Sequence, residues 1–140
     1  MKILIIGDIY SSSGRLMVEK YVPKVKELYN INFIVANGEN IAHGNGITER
    51  YYHFLLDQHV NVVTMGNHTW GNAEIFKFIN DAKVLVRPLN YPEGTPGVGY
   101  VTVKYNQTTI TVFQVLGRTF INQALDCPFQ ATEKLLKEVK

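Results

Sequence analysis

The chain has little sulfur, few charges and no long apolar run, and each shortage removes a class of protein. Cys127 is the single cysteine in 140 residues, so no internal disulfide can form and a cysteine-built metal site is excluded. That thiol precedes Pro128, has no second cysteine or repeated histidine spacing near it, and reads as a packing or loop residue. Charged residues make up 19% of the chain, the net charge is +2, and no block of like charge occurs, so no nucleic-acid surface is evident. The N-terminal apolar run from Ile3 to Ile6 ends close to Asp8 and is far too short for a signal peptide or a membrane span. Two nucleotide-binding signatures are also missing. The stretch from Gly7 to Gly14 lacks the Gly-x-Gly-x-x-Gly turn of a dinucleotide fold, and no Gly-Lys-Ser/Thr occurs. These absences lead to the expectation of a soluble cytoplasmic protein with no membrane partner.

What is present is concentrated at three points. Gly7-Asp8, Gly38-Glu39-Asn40 and Gly66-Asn67-His68-Thr69 each follow a short hydrophobic run: Ile3 to Ile6, Phe33 to Ala36 and Val60 to Met65. Each run reads as a strand that ends in a glycine and then a ligand-type side chain. In an open α/β sheet the carboxyl ends of parallel strands lie side by side, so these residues are expected on one rim.

The rest of the chain supports that architecture. A first strand over Lys2–Gly7 leads through Ser11 to Ser13, which supply N-cap candidates, into a helix reaching Tyr29. Leu16, Val18, Tyr21, Val22, Val25 and Leu28 form its apolar stripe, and Pro23 is expected to kink or split it. Asn32–Ala36 and Asn61–Met65 read as buried strands, with a helix capped by Thr48 over Glu49–Gln58 between them. A helix near Asn72–Ile79 and a short strand at Val84–Val86 follow. Val98–Tyr105 and Thr108–Leu116 alternate around Asn106-Gln107 as a hairpin, and Ala131–Val139 is helical. Residues 1–140 thus form part of a single domain. The fold class is α/β: a parallel β-α-β-α-β unit with an antiparallel hairpin.

The chemistry of the clusters has alternatives. Asp8 suits a hard metal ion, a ribose or a helix cap. Glu39 can bridge two cations through its two oxygens, with Asn40 adding a neutral oxygen; the competing use is turn hydrogen bonding shared among Asn37, Asn40 and Asn45. Asn67 offers an amide oxygen, and His68 a ligand nitrogen or a proton donor. His43 lies in the same Gly/Asn-rich loop as Glu39. Arg87, Asn90 and Arg118 follow strand-like runs, where an arginine can meet a phosphate or make a structural ion pair. Tyr51, Trp70, His53 and His59 read as packing or surface residues.

The order Gly-Asp, Gly-Glu-Asn, Gly-Asn-His-Thr-Trp resembles the calcineurin-like metallophosphoesterases, in the bacterial branch of 2′,3′-cyclic-nucleotide phosphodiesterases. The similarity includes Asn37 to Gly44, Met65 to Trp70, Arg87 to Gly97 and Gly117-Arg118-Thr119-Phe120. The resemblance implies a layered α/β sandwich with two metal ions, iron or manganese. Asp8 with Asn40 would hold one ion, Asn67 the other, and Glu39 would bridge them. His68 would be the catalytic acid or transition-state stabiliser, and His43, Asn90 and Arg118 would bind substrate. The substrate implied is a small phosphodiester, a 2′,3′-cyclic nucleotide or an RNA end.

One departure qualifies this. Members of that family are about twice as long, and their second half adds histidine ligands in an Asp-x-His-Ala-Glu-like strand end and a Gly-Thr-His-x-His turn. Neither motif occurs here. The expectation is therefore an N-terminal half, incomplete at its C-terminus and inactive alone. It would be completed by self-association or by the missing half. The competing expectation is a non-catalytic module that binds a phosphate ester or nucleotide.

Overall fold

Strict alternation in the short strands sorts their side chains onto two faces, and each face recruits a different layer. The computed structural model describes residues 1–139. Its elements are β1 (Ile3–Ile6), α1 (Ser11–Tyr29), β2 (Phe33–Asn37), α2 (Glu49–Asp57), β3 (Val62–Thr64), a single 3-10 segment (Ala73–Lys77), β4 (Leu85–Val86), the hairpin β5 (Tyr100–Tyr105) and β6 (Thr108–Phe113), and α3 (Pro128–Glu138). The first four strands form a parallel sheet in the order β1-β2-β3-β4. Each crossover steps to the next strand in the same direction, and right-handed crossovers then place every connection on one face. Ile34, Ala36, Val63 and Leu85 accordingly meet Val18 and Val22 of α1, Tyr52 and Leu55 of α2, and Ile75. Their neighbours Phe33, Val62 and Val86 face the other way and pack against Val101, Val103, Tyr105, Ile110 and Val112 of the hairpin. The result is a layered α/β sandwich: helices, parallel sheet, antiparallel hairpin. This is the fold class read from the sequence.

Several local expectations need correction. Ser11 to Ser13 do not cap α1; they form its first turn, and Tyr10 occupies the cap position without a side-chain hydrogen bond. Pro23 neither splits nor ends the helix, which runs on to Tyr29. Only Val18 and Val22 of the predicted stripe are buried, while Leu16, Tyr21 and Leu28 are 55%, 44% and 72% exposed. Thr48 does cap α2, accepting from the Tyr51 amide at 3.3 Å. The expected helix after β3 is the short 3-10 segment, capped by Asn72 through the Glu74 amide. Finally α3 begins three residues earlier than expected, because Pro128 suits the first helical turn, where its missing N–H has no partner to lose.

Residues after the hairpin form an arch closed by one buried side chain. Asn90, 1% exposed, donates to the carbonyls of Leu116 (2.9 Å) and Asp126 (3.0 Å) and accepts from the Leu116 amide (2.9 Å). Its own carbonyl accepts from the Asp126 amide at 2.8 Å. Both feet of the segment 117–125 are therefore tied to one residue. The substrate-binding role expected of Asn90 gives way to this structural one, since burial and these bonds commit its amide. Arg87 is likewise structural. It donates to the carbonyls of Pro88, Thr95 and Pro96, and burial lowers its pKa from the usual guanidinium value.

Two outcomes follow from this geometry. Asn90→Ala leaves buried backbone groups at both feet unpaired and should cost about 2–4 kcal/mol in urea unfolding. Cys127 sits at the cap of α3, where the amides of Gln130 and Phe129, then the charge of Arg118, hold its thiol below its ordinary value. More thiolate at lower pH means that the rate of iodoacetamide alkylation should rise at lower pH than for a free cysteine.

Candidate active site

The strand register brings the three polar clusters together. Ile6 pairs with Ala36 and Asn37 with Thr64, so the chain leaves β1, β2 and β3 at one level. Backbone bonds extend that alignment past the strands. The Ile9 amide donates to Asn37, Gly38 to Thr64, and Ser11 to Asn40. Asp8, Glu39, Asn40, Asn67 and His68 therefore share one rim.

Their hydrogen bonds form a directed chain. The Asn40 amide Nδ2 donates to Asp8 Oδ1 at 2.8 Å. A carboxylate only accepts, which fixes the amide orientation and turns Asn40 Oδ1 toward His68 Nδ1, 2.5 Å away. That oxygen cannot donate, so His68 carries a proton on Nδ1 and keeps Nε2 for other partners. Glu39 is seated separately. Its Oε2 accepts from the His68 amide at 3.0 Å, and Asn37 Nδ2 lies 3.4 Å from Oε1. A Cβ on Gly66 would run into both Glu39 carboxylate oxygens, so the glycine is what lets the carboxylate lie over this turn. Thr69, fully buried, locks the same turn by donating through Oγ1 to the Gly66 carbonyl at 2.6 Å.

Donor chemistry decides whether these residues suit a pair of metal ions. Two carboxylates and two amide oxygens are hard donors that iron and manganese accept. Asp8 and Asn67 are exposed at the rim. Asn40 Oδ1 keeps a second lone pair beside its bond to His68. The set fits one face of a dinuclear centre. Among the described residues no group of three His, Cys, Asp or Glu that could hold a metal ion gathers.

Two further candidates lie apart from this network. His43 is exposed in the loop after Asn40, with φ of 56°. Arg118 is exposed on the arch, close enough to Cys127 to act on its thiol. Sequence reasoning missed Gln123. Its Nε2 donates to the Asn67 carbonyl at 2.9 Å, and its Oε1 accepts from Tyr91 Oη at 2.6 Å. Tyr91 is buried against the edge of Trp70, and that burial raises its pKa above the usual phenol value. Nothing in the local pattern around Gln123 marks it, because its contact spans 56 residues. Among the described residues no helix is long and apolar enough to cross a membrane.

The chain as a whole has counterparts in known proteins. A 2′,3′-cyclic-nucleotide 2′-phosphodiesterase of Bacillus subtilis is 51% identical over 138 residues, covering 99% of this chain and 52% of the relative. A solved novel phosphatase from Mycoplasma pneumoniae superposes with a TM-score of 0.93 at 29% identity, covering all of this chain and 52% of that one. A hypothetical protein from Thermus thermophilus does so at 0.92 and 37% identity, covering all of this chain and 54% of the other. The chain thus spans about half the length of the relatives it matches. The resemblance drawn from the motifs is borne out by these matches. The profile of the YmdB-like proteins matches residues 4–140, and the chain belongs to that family.

Proposed function

We propose that this chain forms one half of a metal-dependent phosphodiesterase acting on 2′,3′-cyclic nucleotides or on RNA ends. The observation that carries the reading is the chain Asp8–Asn40–His68 running beside the seated carboxylate of Glu39. The name and 51% identity of the Bacillus subtilis relative support the substrate class. Asp8 with Asn40 would hold one ion, Asn67 the second, and Glu39 would bridge them. When bound, such a pair supplies Lewis acidity and an activated water for in-line attack on phosphorus.

The chain's own residues divide the remaining work. Gly66, Asn37 and the His68 amide seat the Glu39 carboxylate at the rim, where it would serve as the bridging ligand. Asn40 fixes the His68 ring by its Nδ1 proton. Nε2 is then the ring nitrogen left free; once it has taken up a proton from solvent, making the ring an imidazolium, it would pass that proton to the departing ribose oxygen. Arg118 and His43 complete the reading as substrate contacts at the edge of the rim, an arginine being suited to a phosphate.

Two shortages point to a partner. The donor set lacks nitrogen ligands, and the β1–α1 edge of the molecule is apolar and uncovered. Ile3 and Ile5 on the edge strand β1 are 43% and 75% exposed, and Met17 and Leu28 on α1 are 48% and 72% exposed. Apolar surface on this scale marks an interaction site. The partner in our reading is the other half that the relatives carry in one chain, or a second copy of this one. A reducing cytoplasm suits its lone free cysteine. The missing third carboxylate, histidine or cysteine also favours a second reading, a phosphate-ester-binding module without turnover.

Manganese titration followed by electron paramagnetic resonance tests the centre. Glu39→Gln should weaken Mn²⁺ binding at least about tenfold. Gly66→Ala should do the same without removing a ligand, because it displaces the carboxylate. Binding unchanged in both variants removes the metal assignment. Activity is a separate matter. The 140-residue chain with Mn²⁺ should release no measurable nucleotide from 2′,3′-cyclic AMP. Robust turnover by the chain alone would show that the centre needs no further ligands.

A further inference from the structure

Phe120 is 102% exposed, more than any other large hydrophobic residue described, and its backbone φ is 61°. A bulky side chain in the left-handed region is an outlier, and such outliers gather at functional positions. The arch that carries it is not loose. Asn90 closes both feet, at Leu116 and Asp126, and Gln123 lays the descending limb on the Asn67 carbonyl. A chain advances at most about 3.6 Å per residue, so the Phe120 backbone lies within about 11 Å of Gln123. A hydrogen-bonded support thus carries an uncovered aromatic ring three residues from the contact that joins the arch to the Asn67 turn.

The ring's neighbours indicate what covers it. Gly117, Arg118, Thr119 and Asn122 are all exposed and none is a large apolar residue. A protein interface needs a contiguous apolar core; next to the ring in sequence only Ile121 is apolar, and it is half-buried rather than exposed. A nucleobase needs one aromatic face, and stacking on it is tolerant of sequence. Arg118, two residues away, adds a cation suited to phosphate or to the stacked base.

We propose that Phe120 is the base-stacking residue of the substrate site, presented by the Asn90-closed arch while the phosphodiester occupies the rim. This rests on the phosphodiester reading above and adds to it a preference for nucleotides over base-free cyclic phosphates. The test is equilibrium titration of the full 140-residue chain, in Mn²⁺, with 2′,3′-cyclic AMP and with base-free ribose 2′,3′-cyclic phosphate. The wild-type chain should bind the nucleotide about tenfold more tightly. Phe120→Ala should abolish that difference while leaving the base-free ligand unaffected, and Phe120→Tyr should keep it. Equal affinities in the wild type, or an equal loss for both ligands in Phe120→Ala, overturn the proposal and leave the phosphodiester reading standing. A change in sedimentation with no change in nucleotide affinity also overturns it, making Phe120 an interface residue. If neither ligand binds the wild-type chain, this inference fails, while the reading of the chain as one half of a phosphodiesterase is decided separately by the Mn²⁺ titration.

Discussion

Parallel register is the constraint on which the site depends. β1, β2 and β3 are only three to five residues long, yet their pairing fixes where the chain leaves the sheet. A slip of one residue in β2 would turn its side chains to the opposite faces. Ile34 and Ala36 would then meet the hairpin, and Phe33 and Val35 the helices. It would also move Glu39 and Asn40 away from Asp8 and His68. The hydrophobic sorting that builds the layers and the alignment that builds the rim are thus the same event. No separate interaction is needed to bring Asp8, near the start of the chain, against Asn40, and Asn40 against His68.

Within that frame the site is built more by backbone than by bulk. Glu39 is held by an amide proton from His68 and by the open side of Gly66 rather than by an arginine or a lysine. A cationic partner would neutralise the carboxylate and compete with any cation that approached it. Neutral donors orient it and leave its charge available. The same logic applies to Asn40. An amide placed between Asp8 and His68 orients both without adding a third charge. Outer hydrogen bonds of this kind normally set ligand direction in metal sites. In this chain they are already formed by residues of the strand-end turns themselves.

The sequence made the rim legible because its information is local. Each cluster follows a hydrophobic run, and a glycine before a ligand-type residue is a pattern visible within a few positions. The buried strands were legible for the same reason, since the continuous apolar runs of β2 and β3 are a property of adjacent residues. What stayed hidden depends on distant partners. Asn90 looked like a ligand because it is a polar residue in a loop after a strand. Its task appears only when Leu116 and Asp126 are seen to lie on either side of it. Arg87 read as a phosphate contact or a structural ion pair; it is structural, but its guanidinium meets carbonyls eight and nine residues along a folded-back proline loop instead of a carboxylate. Gln123 carried no local signal at all. The serines before α1 misled for a subtler reason. Capping residues were present, but the helix starts with them rather than after them, at a turn set by the Ser11 amide's bond to Asn40.

The apolar stripe of α1 is the most informative misreading. At about 100° per residue Tyr21 and Val25 share a side with Val18 and Val22, whereas Leu16 falls on nearly the opposite side; and periodicity reports that a face is apolar, not that it is covered. The helix has only one sheet face beneath it, and that face reaches as far as Val18 and Val22. On the other side of the sheet, toward the hairpin, Ile3 and Ile5 of the adjoining edge strand are exposed as well. Water contact at these residues is unfavourable by about 25 cal/mol for each Å² of apolar area. The β1 edge also leaves backbone groups that a further strand can pair with. Asp8 stands just past the end of that same strand. In our reading, a segment that paired with β1 would therefore cover the apolar edge and run its own strand end into the rim. There it would add ligands to a centre that has oxygen donors on one face only. The uncovered surface and the half-built donor set are then one deficit, located at one strand, rather than two.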